Sequence, residues 1–292
     1  MDTIILLLIT GLGLGALYFL VASGLSLIYG LMGVLNFAHG AFLTIAAFLG
    51  WEAGRRISDG SWTGLAISAV VGILVGATVA VLTEVLVIRR LYERHIEQAL
   101  VTVGISLAAV ALFEGIWGTD PIYTDRPAWL TQTTEILGAR IPNDRFLLIA
   151  CAALVLAGIV LFLRNTRYGL IIRAGVENRS MVTALGIDVR RSFTLVFAIG
   201  GGAAGLGGVL ASVYYGYVSA HLGSVLLIFA FIVTVIGGLG SLTGAAIASV
   251  LVAVLQQFAN FYLGGTGDLV VVVLLAAVLL IRPRGLLGKA AA

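Results

Sequence analysis

The chain has 292 residues, of which 60% are hydrophobic and only 11% are charged, with a formal net charge of +3 at pH 7. An ordinary soluble domain carries about 25% charged residues, so this composition excludes one. The single cysteine, Cys151, excludes an internal disulfide.

The apolar segments predict helices that cross a membrane. Residues 3–51 and 192–267 contain no Asp, Glu, Lys or Arg, and one crossing takes about 20 residues. The segments lack the alternating pattern of an outer-membrane barrel strand, and a helix satisfies its own backbone in a bilayer. The candidate segments are approximately 4–29, 34–50, 63–88, 99–118, 146–163, 193–217, 224–240, 245–262 and 268–281.

These segments predict an all-α, polytopic transmembrane helix bundle of eight or nine helices, forming a single domain over residues 1–292. Glycine-rich stretches around 11–15 and 200–208 open the two halves of the chain. Membrane helices use such small residues for close packing, which is the interpretation we favour over a role as hinges. The same placement suggests an inverted repeat, of the kind on which many transporters are built.

A polar break, Asn36-Phe37-Ala38-His39-Gly40, interrupts the first charge-free block. Asn36 could cap a helix that begins near Phe37, with His39 as a satisfied polar residue, and the motif alone favours this interpretation. Irregular backbone at membrane depth can also line a cavity. Asn36, Phe37, His39 and Gly40 are therefore candidate residues of a translocation path.

Basic residues predict which connectors face the cytoplasm. The connector 164–191 has six arginines against two acids, residues 282–289 have three basic residues and no acid, and residues 89–98 are also basic. The long, mixed connector 119–145 is expected outside, as a structural lid or as a docking surface for an external protein. If 34–50 spans the membrane, the amino terminus is outside and the carboxyl terminus is cytoplasmic.

The connector also predicts a short amphipathic helix between 173 and 189, ended by Gly186. Its apolar residues, among them Met181, could dock on another surface while its charged residues stay in water. It is either a helix lying on the cytoplasmic surface or a plug into a motor subunit.

Two further polar groups interrupt the second charge-free block. Gly237, Gly238, Gly240 and Ser241 predict a tight turn, which is either a simple cytoplasmic turn or a mobile gate. On the next helix, Gln256, Gln257 and Asn260 either bond across helices, which we favour, or face a pore. Gln256 and Asn260 are accordingly added to the candidate path.

Several classes of function are disfavoured by missing motifs. The chain has no Walker A pattern, no HExxH, no GxSxG and no metal-ligand spacing, so no catalytic or metal-binding residue is expected. Mid-membrane acids that would couple transport to ions are also absent, so the driving energy must come from elsewhere. Glu84 and Glu114 lie near predicted helix ends and are expected to reach the membrane surface.

Four stretches of the chain are distinctive when taken together: residues 27–40 (LIYGLMGVLNFAHG), 177–187 (ENRSMVTALGI), 237–244 (GGLGSLTG) and 282–286 (RPRGL). In this order they resemble the permeases of branched-chain amino-acid ABC importers, specifically the shorter of their two permeases. The resemblance implies an inner-membrane complex of two permeases, two cytoplasmic ATPases and an external binding protein. ATP and Mg²⁺ would be bound by the ATPases, no cofactor by this chain, and no nucleic acid is involved.

The resemblance also implies that the helix after residue 173 is a coupling helix that contacts an ATPase. Its candidate residues are Arg173, Glu177, Asn178, Ala184, Leu185 and Gly186. Similar permeases carry urea, short amides or aromatic acids, so the substrate stays open. A self-sufficient channel or facilitator is the alternative from another class, and an intramembrane enzyme using His39 is a third.

Overall fold

The computed structural model describes residues 2–33, 36–92, 94–177, 179–184, 186 and 189–288. Within these residues, a bundle of long helices is joined by short helices and by four short strands. The α-helices are α1 (Asp2–Met32), α2 (His39–Ser58), α3 (Trp62–Leu86), α4 (His95–Trp117), α5 (Ala128–Thr131), α6 (Asp144–Asn165), α7 (Arg167–Glu177), α8 (Arg179–Ala184), α9 (Val189–Tyr215), α10 (Leu222–Gly237), α11 (Leu242–Tyr262) and α12 (Gly267–Ile281). A 3₁₀-helix covers Ile88–Leu91.

Six of these helices, α1, α3, α4, α6, α9 and α11, are long and apolar enough to cross a membrane. Helices α10 and α12 are shorter and apolar, and α2 adds a 20-residue helix. The described part of the chain therefore contains nine candidate membrane elements, and the expected all-α polytopic bundle is confirmed.

Helix α2 lies further along the chain than the predicted segment 34–50. It begins at His39 and continues to Ser58, because Glu52 forms ion pairs with Arg55 and Arg56 along the helix surface. Pairs spaced three and four residues apart support helix in water, so the charged end of α2 continues beyond the apolar stretch.

Helix α1 is the axis of the bundle. It packs against α6, α9, α10 and α11, and Leu17, Leu20, Val21 and Ala22 are fully buried. A helix that is apolar on all sides can contact either other helices or lipid. The packing of α1 against four neighbouring helices is what places it in the centre of the bundle.

Glycines bring α3 and α9 into backbone contact. A methyl group added at Gly76 would overlap the carbonyl oxygen of Gly201, and one added at Gly205 would overlap the carbonyl oxygen of Gly72. In lipid, helices associate by such close van der Waals packing, since burial from water contributes little between them. The glycine stretch near residue 200 is thus a packing surface.

The amino terminus and the 119–145 connector lie at one end of the bundle. Strands β2 (Thr133–Ile136) and β3 (Ala139–Pro142) form an antiparallel hairpin whose Gly138 lies close to the Asp2 carboxylate. Strands β1 (Ile122–Tyr123) and β4 (Tyr217–Val218) pair across the end of α9. At the opposite end, Gly30 of α1 meets Gly240.

Candidate translocation and coupling sites

His39 is fully buried at the start of α2. Its Nε2 lies 3.1 Å from the carbonyl oxygen of Val21 on α1. Because a carbonyl only accepts, this contact assigns the imidazole proton to Nε2 and leaves Nδ1 as an acceptor. Among the described residues, Nδ1 has no hydrogen-bond partner. Gly24 faces the ring so closely that a methyl group there would lie 2.8 Å from Cε1.

The predicted cap at Asn36 is wrong in its position. Ala38, not Asn36, precedes the first helical residue, and it makes no side-chain cap. The Asn36 side chain instead accepts a hydrogen bond from the Ala38 backbone N–H at 3.1 Å, which forms a turn ahead of the helix. Phe37 is partly exposed, and its backbone N–H donates to Thr102 Oγ1 on α4 at 3.3 Å.

Gly40 allows α2 to touch the start of α10. A methyl group at Gly40 would lie 2.7 Å from the carbonyl oxygen of Gly223. Thr44 Oγ1 accepts a hydrogen bond from the Gly223 N–H at 3.0 Å and donates to the Gly40 carbonyl at 3.1 Å. The polar break therefore joins α1, α4 and α10 to the first turns of α2.

Gln256 is buried and bonds across helices, in agreement with the favoured interpretation. Tyr18 on α1 donates to Gln256 Oε1 at 2.8 Å, and Gln256 Nε2 donates to Asp268 Oδ1 on α12 at 2.7 Å. Asn260 Oδ1 accepts from the Gly267 N–H at 2.8 Å and so closes the loop between α11 and α12.

The path candidates do not meet around one opening in the described structure. His39 contacts α1 at Val21, whereas Gln256 contacts it at Tyr18, and Asn260 lies in the α11–α12 connection. His39 and Gln256 both contact α1, at Val21 and Tyr18, which lie within one turn of each other.

The glycine turn after α10 is held from two sides. Gly238 and Gly240 have φ of +101° and +81°, a region that favours glycine. Ser241 caps α11, with Oγ accepting from the Gly244 N–H at 3.1 Å. The backbone N–H groups of Leu286 and Leu287 donate to the carbonyls of Ile236 and Gly237 at 2.7 and 3.1 Å.

In the structure, two short helices, α7 and α8, take the place of the single predicted coupling helix. Helix α7 begins at Arg167, six residues before the predicted start, because Thr166 Oγ1 accepts the Gly169 N–H at 2.9 Å. Gly186 has a φ of +76°, as expected of a glycine that ends a helix. Of the six candidates, Arg173, Ala184 and Gly186 are exposed. Asn178, Leu185 and the side chain of Glu177 lie outside the described residues.

The connector is anchored to the bundle by residues that the sequence did not single out. Ile172 on α7 and Val182 on α8 are 2% and 4% exposed and pack in one apolar cluster with Ala38 and Phe42. Met181, a predicted docking residue, is 62% exposed. Buried apolar residues of the connector are thus seated beside Phe42, whose ring contacts His39, while Arg173 and Ala184 are exposed.

Glu84 does not reach the membrane surface, so the expectation for this residue is wrong. Its side chain is fully buried near the end of α3. Arg89 donates Nε to Oε1 at 3.1 Å and Nη2 to Oε2 at 3.0 Å, and Thr194 Oγ1 on α9 donates to Oε2 at 2.9 Å. The Tyr92 hydroxyl also donates to Oε1.

These donors explain why a carboxylate is stable there, since buried charge requires paired hydrogen bonds. Burial, together with the Glu84 carboxylate, raises the pKa of Tyr92, so the phenol stays protonated and keeps donating. The only sequence signal was an acid followed five residues later by an arginine. We call Glu84, Arg89, Tyr92 and Thr194 the Glu84 cluster.

Glu114 has a different environment at the other end of the bundle. Its Oε1 lies 2.9 Å from Nε2 of His221, the residue that precedes α10. Both side chains are partly exposed.

Comparison with known proteins places the chain in a family. The family model described as the permease component of the branched-chain amino acid transport system matches residues 7–282. The high-affinity branched-chain amino acid transport permease LivH of Salmonella typhimurium is 29% identical over 96% of this chain and 94% of its own. BraD, a permease of the same description from Pseudomonas aeruginosa, is 30% identical over 97% and 95%.

A permease of the Escherichia coli branched-chain system with a different name, LivM, is 26% identical over 93% of this chain and 68% of its own length. No solved structure matches the chain.

Proposed function

Because the chain belongs to the family of branched-chain amino acid transport permeases, we propose that it is the permease subunit of an ATP-driven importer. The solute is a branched-chain amino acid or a related small molecule. Transport proceeds by alternating access, in which the helices repack to open the path to one side of the membrane and then to the other.

The observation that carries the proposal is the seating of the connector α7–α8. Its apolar residues Ile172 and Val182 are buried in the bundle, while Arg173 and Ala184 are exposed on the other side. A segment of this kind can receive force from a partner and pass it to the helices. Because the apolar cluster includes Ala38 and Phe42, the force arrives beside the polar break at His39.

The proposed partners follow from what the chain lacks. Two cytoplasmic ATPases would bind ATP and Mg²⁺ and engage the exposed face of the connector. A second permease would complete the path, as the similarity to both LivH and LivM suggests. An external binding protein would deliver the solute at the end formed by the 119–145 connector, and it would set most of the substrate selectivity.

Uptake into proteoliposomes tests the function. The complex is assembled from this chain, a second permease and two ATPases encoded beside it, and radiolabelled leucine is supplied on the external binding protein. Uptake should require ATP on the cytoplasmic side. Solute flux through this chain alone, with no ATP, would instead establish a self-sufficient facilitator.

Competition identifies the solute class. Unlabelled isoleucine and valine should reduce leucine uptake, whereas urea, acetamide and benzoate should not. Competition by urea, acetamide or benzoate, without competition by valine, would show that the chain belongs to a complex that transports that compound instead.

A further inference from the structure

We propose that Glu84 is a positioning residue for transport, which fixes α3 to the base of α9 so that the two helices carry the movement of the connector into the membrane as one body. The inference rests on the proposed function and concerns a residue outside the coupling segment itself.

The first argument is the number of elements that meet at Glu84. Its carboxylate accepts hydrogen bonds from Arg89 on the 3₁₀-helix, from Tyr92 after it, and from Thr194 on α9. Arg89 Nη2 also donates to Thr194 Oγ1 at 2.8 Å. A fully buried carboxylate that loses these donors is left uncompensated, so the cluster favours one arrangement of the three elements.

The second argument is the location of Thr194. It lies five residues into α9, the helix that follows α8, so a displacement of the connector reaches Thr194 before it reaches the middle of the membrane. The Tyr92 ring packs on Phe193 with centroids 4.7 Å apart, and Phe193 belongs to the apolar cluster that seats the connector. The hydrogen-bonded residues around Glu84 therefore lie between the connector and α3.

The third argument is the stiffness of the α3–α9 pair beyond the cluster. Gly76 against Gly201 and Gly72 against Gly205 leave no room for a side chain between the two backbones. Helices packed this closely slide or separate only by losing many contacts at once. With their bases tied at Glu84, the two helices have a fixed register from Gly72 to Glu84 on α3 and from Thr194 to Gly205 on α9.

The experiment measures solute moved per ATP hydrolysed in the complete complex in proteoliposomes. Thr194→Val keeps the shape of the side chain and removes a donor to Glu84 and an acceptor of Arg89, while the ion pair between Glu84 and Arg89 stays. Thr83→Val is the matched control, because the Thr83 hydroxyl donates at 2.8 Å to the Val79 carbonyl within α3.

We expect Thr194→Val to lower the ratio of uptake to ATP hydrolysis about fivefold, the factor that a hydrogen bond of ordinary strength represents. ATP hydrolysis itself should persist, and Thr83→Val should keep the wild-type ratio. Glu84→Gln, which removes the charge at nearly constant volume, should lower the ratio further if the complex still assembles.

An unchanged ratio in Thr194→Val would overturn the inference, as would uptake and hydrolysis that fall in proportion. Failure of the proposed function is a separate result, because it would show as wild-type complex with no ATP-dependent uptake. A role in stability alone would lower the melting temperature of Thr194→Val without moving the ratio, and this too would overturn the inference.

Discussion

His39 illustrates how single polar residues are accommodated in this bundle. A buried imidazole costs free energy unless its N–H is bonded, and the Val21 carbonyl supplies that bond. Gly24 provides the space that the ring occupies. The polar residue, its acceptor and the glycine therefore form one unit at the contact between α1 and α2.

Replacing His39 by alanine should destabilise the protein by about 2 kcal/mol, because the deletion leaves a cavity in a closely packed contact. Thermal unfolding of the detergent-purified chain measures the effect. His95→Ala is the control, since His95 is exposed at the start of α4. Equal melting temperatures for the two variants would contradict the packing described for His39.

Leu137 has an unusual backbone at the tip of the β2–β3 hairpin. Its φ is +50° and that of Gly138 is +85°, the pair of positive angles typical of a tight hairpin turn. A β-carbon in this region costs about 1 kcal/mol, and asparagine tolerates it better than leucine. Leu137→Asn should therefore slow amide hydrogen exchange in 133–142. Gln132→Asn is the control, because Gln132 has an ordinary φ of −86°, and it should leave the exchange rates unchanged. Unchanged or faster exchange in Leu137→Asn would contradict the strain assigned to the turn.

At the scale of helices, glycines determine where two backbones come into contact. Helix α3 meets α9 through Gly72 and Gly76, which lie about one turn apart, whereas Gly104 on α4 has no atoms within 4 Å of an added methyl group. Glycine therefore has a different effect in each helix. In α3 it permits backbone contact with α9. In α4 it lowers the helix propensity and permits no close contact among the described residues.

The two kinds of glycine give opposite predictions. Gly76→Ala should lower the melting temperature, because the methyl group would overlap the Gly201 carbonyl oxygen. Gly104→Ala should leave the melting temperature unchanged or raise it, because alanine stabilises a helix by up to about 1 kcal/mol relative to glycine. Thermal denaturation of both variants in the same detergent measures these changes. A Gly76→Ala protein that melts at the wild-type temperature would contradict the contact between Gly76 and Gly201.

For the whole molecule, the membrane elements were predictable because hydrophobicity is a local property of the sequence. Each of the nine apolar segments corresponds to a helix, although α2 is displaced toward its charged end. The partners of Glu84 were not predictable, since Thr194 is 110 residues away in the chain. The anchoring residues Ile172 and Val182 were missed for the same reason, because their burial depends on α2 and α9.

The orientation of the whole bundle is a further prediction, since basic residues place the α7–α8 end in the cytoplasm. In a chain with Cys151→Ser, a single cysteine introduced by Leu137→Cys should react with a membrane-impermeant maleimide in intact cells. Cysteines introduced by Ala184→Cys or Arg284→Cys should react only after the membrane is permeabilised. The reverse pattern would invert the topology.

The bonds from Leu286 and Leu287 to the end of α10 also impose an order on biogenesis. Their acceptors, Ile236 and Gly237, leave the ribosome before α11 and α12, whereas the donors follow both helices. The turn after α10 therefore stays incomplete while two more helices are inserted. A nascent chain released within that interval would lack the donors of these two bonds, so the turn after α10 is completed only by the last described residues of the chain.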